Sequence, residues 1–419
     1  MEEFTFLQSG LECQKYMLNK IKDANNVIFI SSWYIDITFQ LDDKPLYKLL
    51  IDKCNQGVKV YILTSSAPYG DLTFKKIYLS LNHKHKNFHF KILDMESNNY
   101  FFNAISSITN NFKFFYFKKC CNRLFHQRYF NVDNKFCMLG GVDMSDELNC
   151  SLLEKKCNIN QYYWVEYGII FKPQKEFIEY CINNFNSNGK AELISPYFFG
   201  NFYNKNTEYL KLIKLINNCK SHILIENQWI YSTYKTKNKI LNRVCNKIIN
   251  NKNINVTIIT NNIFIDVCNH KLTDNILGKI VCNVYSCNFR IMLYSSLKFI
   301  YYYLRENGLS DEDINNRIKI YINKDSMYIH SKNIIIDHDK MLYGTSNLWE
   351  RSYSKGKDLE LSIFLKGNKV KEVEKKIINS YRGNVKLINI SKIFNKPNYN
   401  SLLVTIIILI LLVILFNNI

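Results

Sequence analysis

Two stretches of this chain set an imidazole and a cation two residues apart, with an aspartate and a glycine-containing turn at matching distances behind them. In the later one, His330-Ser-Lys332 is followed at the fifth position past the lysine by Asp337, and then by Gly344-Thr-Ser-Asn347. In the earlier one, His126-Gln-Arg128 is followed by Asp133 at the same spacing, and then by Gly140-Gly-Val-Asp143. Alternate residues of a strand share a face, so each histidine and its cation are expected to address one phosphate together. An imidazole attacks phosphorus when its other nitrogen is held by an acceptor, and a second imidazole protonates the departing oxygen. Arg128 and Lys332 neutralise the oxygens on which charge collects, and Asp143 and Asn347 stand where they can hydrogen-bond those oxygens or order the loop. This chemistry calls for no metal and no cofactor, and none is expected.

The elements that must position these motifs repeat. Val27-Ile-Phe-Ile-Ser-Ser-Trp-Tyr34 is a short apolar strand ending in polar and aromatic residues, and Ser221-His-Ile-Leu-Ile-Glu-Asn-Gln-Trp-Ile230 has the same pattern. Val58–Thr64 is matched by Val256–Thr260, and Phe88–Leu93 by Ile318–Tyr321. Tyr167–Pro173, running into an amphipathic stretch through Phe185, is matched by Leu361–Gly367 running into Val370–Tyr381. Strands alternating with helical spacing predict an α/β lobe used twice, residues 1–196 and 197–394, with the junction in the Gly- and Pro-containing stretch 186–200.

The motif HSKNIIIDHDKMLYGTSNLWERS, followed by KGKDLEL, resembles the C-terminal HKD motif of phospholipase D and cardiolipin synthase enzymes. HQRYFNVDNKFCMLGGVDMSDE is similar to their N-terminal motif, Gly-Gly pair included, and Ile225-Glu-Asn-Gln-Trp229 resembles a strand early in their second half. The likeness spans about Val27 to Tyr381. It implies two phospholipase D-like lobes of mixed sheet flanked by helices about a pseudo-twofold axis. It also implies His126 as nucleophile through a phosphohistidine, His330 as leaving-group acid, and an acid after each motif, Glu166 and Glu360, to hold the histidines' far nitrogens. Two departures stand out. Arg128 replaces a lysine, keeping the charge but bringing a planar fork, which shifts the expected geometry at phosphorus. Thr345 stands for the usual serine and Asp143 for the usual asparagine, both milder changes.

With 419 residues, 47% apolar, the chain can bury one large core or two smaller ones, and a formal charge of +19 attracts phosphate on nucleic acid or on an anionic bilayer. Thirteen cysteines without paired C-x-x-C spacing, and no apolar signal stretch at Met1–Gln8, suggest a reduced, cytosol-facing body; adjacent Cys120 and Cys121 read as two thiols. Leu402–Phe416 is apolar but for Thr405, so residues 401–417 are expected to form a single-pass tail anchor. Fifteen residues rise only about 22 Å against a hydrocarbon core of roughly 30 Å, which suits a thin membrane. Lys392 and Lys396 precede the segment and nothing basic follows it, which keeps the body in the cytosol. His83, His85, His89, His222, His270 and His338 are expected to be ordinary surface or core imidazoles. Three functions remain open: a phosphodiesterase on glycerophospholipid, with phospholipid and membrane as partners; a nuclease using the same histidines, favoured by the charge; and a catalytically weak membrane-remodelling protein of the viral envelope kind, favoured by Arg128.

Overall fold

The computed structural model describes residues 1–36, 39, 44–65, 72–93, 124–144, 163–232, 239–262, 292–324, 327–355 and 357–394. The strands of the first half are β1 (Thr5–Leu7), β2 (Val27–Ser32), β3 (Lys59–Ser65), β4 (Phe88–Leu93), β5 (Leu124–Phe125), β6 (Tyr129–Val132), β7 (Phe136–Gly140), β8 (Tyr163–Val165) and β9 (Gly168–Phe171). Those of the second are β10 (Phe198–Phe199), β11 (His222–Asn227), β12 (Asn255–Thr260), β13 (Ile318–Asn323), β14 (Met327–Ile329), β15 (Lys332–Ile336), β16 (Lys340–Gly344), β17 (Asp358–Leu359), β18 (Ser362–Lys366) and β19 (Val385–Ile388).

They build two mixed sheets of one design. The order β1-β9-β7-β6-β2-β3-β4 is matched strand for strand by β10-β18-β16-β15-β11-β12-β13, with β19 added at the far edge. In each, the three strands β2-β3-β4 or β11-β12-β13 run parallel, and a hairpin, β6-β7 or β15-β16, joins antiparallel. The parallel strands read as near-continuous apolar runs because both of their faces are covered; Ile223, Leu224 and Ile225 of β11 are fully buried. One covering helix, Lys239–Asn250, buries Ile240, Leu241, Val244, Cys245 and Ile248, one face of a 3.6-residue period, and turns its polar positions out. Each fully buried aliphatic side chain of this kind contributes about 1.5–3 kcal/mol. The helix Gly10–Asp23 opens on Ser9, whose hydroxyl accepts the Glu12 N–H at 3.1 Å.

Both hairpins turn through two consecutive left-handed residues, Asp133 and Asn134 (φ 52° and 54°) and Asp337 and His338 (φ 52° and 64°). Short polar side chains tolerate that region better than most. The lobes are welded together by a shared core in which Leu139, Tyr167 and Ile169 of the first meet Tyr343, Leu361 and Ile363 of the second. They are also stitched by two exchanged ribbons: β5 pairs parallel with β17, and β8 pairs parallel with β14.

Among the described residues no helix is long and apolar enough to cross a membrane. The expected anchor, residues 401–417, lies outside them, as do Cys120 and Cys121. Cys13, Cys54, Cys137, Cys181, Cys219 and Cys245 are buried free thiols.

Candidate active site

The expectation that each histidine and its cation share one continuous strand is corrected. His126 lies between β5 and β6, and His330 between β14 and β15. The chain changes sheets there, leaving a two-stranded ribbon shared with the other lobe and entering its own large sheet. Main-chain bonds fix the crossing: His126 N–H donates to the Leu359 carbonyl (2.9 Å), and the N–H groups of His330 and Ser331 both reach the Val165 carbonyl (3.0 Å each). Each imidazole is thereby delivered to the acid that follows the other lobe's motif.

His126 Nδ1 lies 2.9 Å from Glu360 Oε2, and His330 Nδ1 is bonded to Glu166 Oε2. Both carboxylates are buried and further held. Glu360 accepts from Thr345 Oγ1 (2.6 Å) and Ser352 Oγ (2.9 Å), and Glu166 from the Tyr167 N–H (3.2 Å) and the Tyr343 hydroxyl (3.3 Å). Burial pushes the Glu360 carboxyl well above the usual carboxylate range, with Asp358 adding to it. Burial also raises Glu166, against the pull of Lys332 and Arg128. With Nδ1 held by a carboxylate, Nε2 is the ring nitrogen through which each imidazole could act as a nucleophile or a proton donor.

Gly141 exists to let Glu166 in, since a Cβ there would sit 2.2 Å from Oε2. In the second lobe the matching residue is Thr345, whose hydroxyl instead holds Glu360. Tryptophans edge both rings, Trp33 at 5.5 Å from His126 and Trp164 at 5.1 Å from His330.

The cations are placed differently. Arg128 is buried and clamped by Asp143 at both ends of its fork, Nε to Oδ1 at 3.0 Å and Nη2 to Oδ2 at 2.9 Å. Asp143 also accepts from Ser32 Oγ (2.5 Å) and the Tyr34 N–H (3.1 Å). The remaining nitrogen, Nη1, lies 3.1 Å from His126 Nε2, the ring nitrogen that does not face Glu360. Burial works against the guanidinium charge, but Asp143, with Glu166 and Glu360 behind it, outweighs burial and raises its pKa. The charges acting on this guanidinium thus include the acid partners of both histidines. In the second lobe Lys332 donates to the His330 carbonyl, and Asn347 is buried with its Oδ1 lacking a hydrogen-bond partner among the described residues.

Asp133 and Asp337, grouped with the catalytic residues from sequence, do not join them. Five residues of extended chain, roughly 16 Å, separate each from its cation. Asp133 accepts from the N–H groups of Asn25, Asn26 and Val27 at 2.7–2.9 Å. Asp337 does the same for Lys220, Ser221 and His222 at 2.8–3.3 Å. They tie the hairpin tips to the starts of β2 and β11.

Glu226, within the Ile225–Trp229 strand, is a buried carboxylate accepting from Ser331 Oγ, Asn333 Nδ2 and the Tyr381 hydroxyl. It supports the residues on either side of Lys332. Sequence reasoning missed Ser32, Trp33 and Trp164; the first two stand where the β2 run turns polar and aromatic, which was the available signal.

No protein-family model matches the chain, and no curated protein matches it in sequence. Its fold is similar to that of phosphatidylserine synthase from Haemophilus influenzae Rd KW20, with a TM-score of 0.61 at 14% identity, over 92% of this chain and 87% of that one. The fold is shared with that enzyme. It is also similar to polyphosphate kinase from Porphyromonas gingivalis, with a TM-score of 0.55 at 8% identity, over 93% of this chain and 49% of the kinase.

Proposed function

We propose that this protein is a phosphodiesterase of the phospholipase D type, acting on glycerophospholipid through a phosphohistidine by hydrolysis or transphosphatidylation. The observation that carries this reading is the pair of crossed imidazole–carboxylate contacts, His126 with Glu360 and His330 with Glu166. Nε2 of His126 attacks phosphorus and the P–O bond to the leaving group breaks. His330, protonated, gives its proton to that oxygen; as base it then activates the water or alcohol that frees the phosphoryl group. Lys332, Arg128 and Asn347 stabilise the phosphoryl oxygens. The phosphatidylserine synthase with which the chain shares its fold supports a lipid substrate. The apolar stretch 401–417 supports a tail anchor that holds the body on the cytosolic side of the bilayer, where that substrate is concentrated.

A second reading, a membrane-remodelling protein of low turnover, is favoured by Arg128 Nη1 resting on the attacking nitrogen while Asp143 cancels its charge. The net charge of +19 favours a third, a nuclease. Full-length protein assayed on phosphatidylcholine vesicles and on single-stranded DNA, beside His126→Ala and His330→Ala, separates them. Lipid turnover abolished by both substitutions is the expected result; cleavage of DNA alone, or inertness of the unsubstituted chain on both, rejects the lipid enzyme.

A further inference from the structure

At the end of the second sheet opposite the catalytic histidines, three ligand-bearing side chains from three separate elements meet. His222 opens β11, His338 sits at the tip of the β15-β16 hairpin, and Glu374 belongs to the helix Asn368–Ser380. Their donor atoms all lie within 4.8 Å of one another. His338 Nδ1 is 2.7 Å from Glu374 Oε2, His222 Nδ1 is 3.4 Å from Glu374 Oε1, and the two rings stack with centroids 4.4 Å apart.

We propose that His222, His338 and Glu374 form a binding site for a divalent transition metal, zinc first, that clips this helix to the sheet.

Two buried atoms point to a ligand. His222 Nδ1 and Glu374 Oε1 face each other without a hydrogen-bond partner, a costly arrangement that a cation between them would relieve. Their 3.4 Å separation is close to the edge of a tetrahedron with metal–ligand bonds of about 2.0–2.1 Å. The other nitrogen of His222, Nε2, lies 3.4 Å from Thr257 Oγ1, a partner suited to the second nitrogen of a ligating imidazole. The His338 side chain is 45% exposed, leaving room for water as the fourth ligand.

The fold itself does not require the cluster. By strand register and turn position the first lobe has Val27 and Asn134 where the second has His222 and His338, and it closes the same hairpin without them. Cys219 lies nearby, but its thiol is turned to Asp337 and the His222 carbonyl, so imidazole and carboxylate are the donors on offer.

The test uses the full-length protein in detergent, stripped with a chelator and titrated with zinc or cobalt(II), beside His338→Ala and Glu374→Gln. His126→Ala serves as a control. The expected result is one saturable zinc equivalent and a zinc-dependent rise in unfolding temperature. Cobalt is expected to show visible d–d absorption without a thiolate charge-transfer band. Affinity falls at least tenfold and the thermal rise disappears in the two cluster variants but not in the control. Absence of saturable binding, binding unchanged in either cluster variant, or a thiolate band overturns the proposal.

Discussion

Arg128 and Asp143 have to be considered together. The resemblance leads one to expect a lysine and an asparagine at these places, and their joint replacement yields a neutral clamp where a free cation was expected. The guanidinium cannot lose its charge, and its planar fork, once bidentate on a carboxylate, is fixed in direction. It therefore keeps a donor on His126 Nε2, which in the proposed reaction a phosphoryl group would have to displace. Arg128→Lys combined with Asp143→Asn is expected to raise the rate of phosphohistidine formation about tenfold, measured by single-turnover trapping. A rate no higher than that of the unsubstituted protein would show that the clamp is not the brake. Glu360→Gln is expected to lower kcat about 100-fold through His126, a loss of the size that acid–base positioning supplies.

The hairpins carry the next level. Asp337 gathers backbone donors from residues 220–222, and those bonds outweigh burial to lower its pKa from 3.8 to about 2. A carboxylate with a depressed folded pKa contributes stability above its unfolded value and loses it as pH falls through the folded one. Asp337→Ala is thus expected to destabilise the protein by about 2 kcal/mol at neutral pH. The gap to the unsubstituted chain should close between about 4 and about 2, as read by denaturant unfolding. Glu208, in the first turn of the helix Thr207–Asn217, behaves oppositely. It is buried beneath Ser346 and Ser362, and burial raises its carboxyl from 4.5 to about 7. The native chain then holds a proton that the unfolded chain has released, so stability declines as pH climbs across that window. Glu208→Gln should flatten the decline, and an unchanged pH slope would remove Glu208 as its cause.

At the scale of the whole molecule, neither lobe owns a complete half-site. His126 depends on Glu360, 234 residues later, and His330 on Glu166, 164 residues earlier. The exchanged ribbons β5-β17 and β8-β14 deliver these partners, and the shared core around Tyr167, Tyr343 and Leu361 holds them in register. Residues 1–196 and 197–394 expressed as separate chains are therefore expected to be inactive singly and to recover turnover only on mixing. Turnover by either chain alone would contradict the crossed site.

The twofold repeat, the strands β2, β3 and β4 with their counterparts β11, β12 and β13, and the pairing of a histidine with a cation in each half were legible in the chain, because period and spacing are local properties. So was the placing of Glu166 and Glu360 against the histidines, by resemblance. Which glutamate serves which histidine was not, since the answer depends on where the chain leaves one sheet for another. Nor was the division of labour among the aspartates: Asp133 and Asp337 follow the cations by only five residues, yet an extended strand carries them roughly 16 Å from Arg128 and Lys332. Asp143 crosses back because the hairpin β6-β7 returns it to Arg128. His222, His338 and Glu374, unremarkable along the chain, became neighbours only when a strand start, a hairpin tip and a helix face met in space. Sequence encodes what each element can be; packing decides which side chains converge, because convergence depends on distances between elements that no local spacing records.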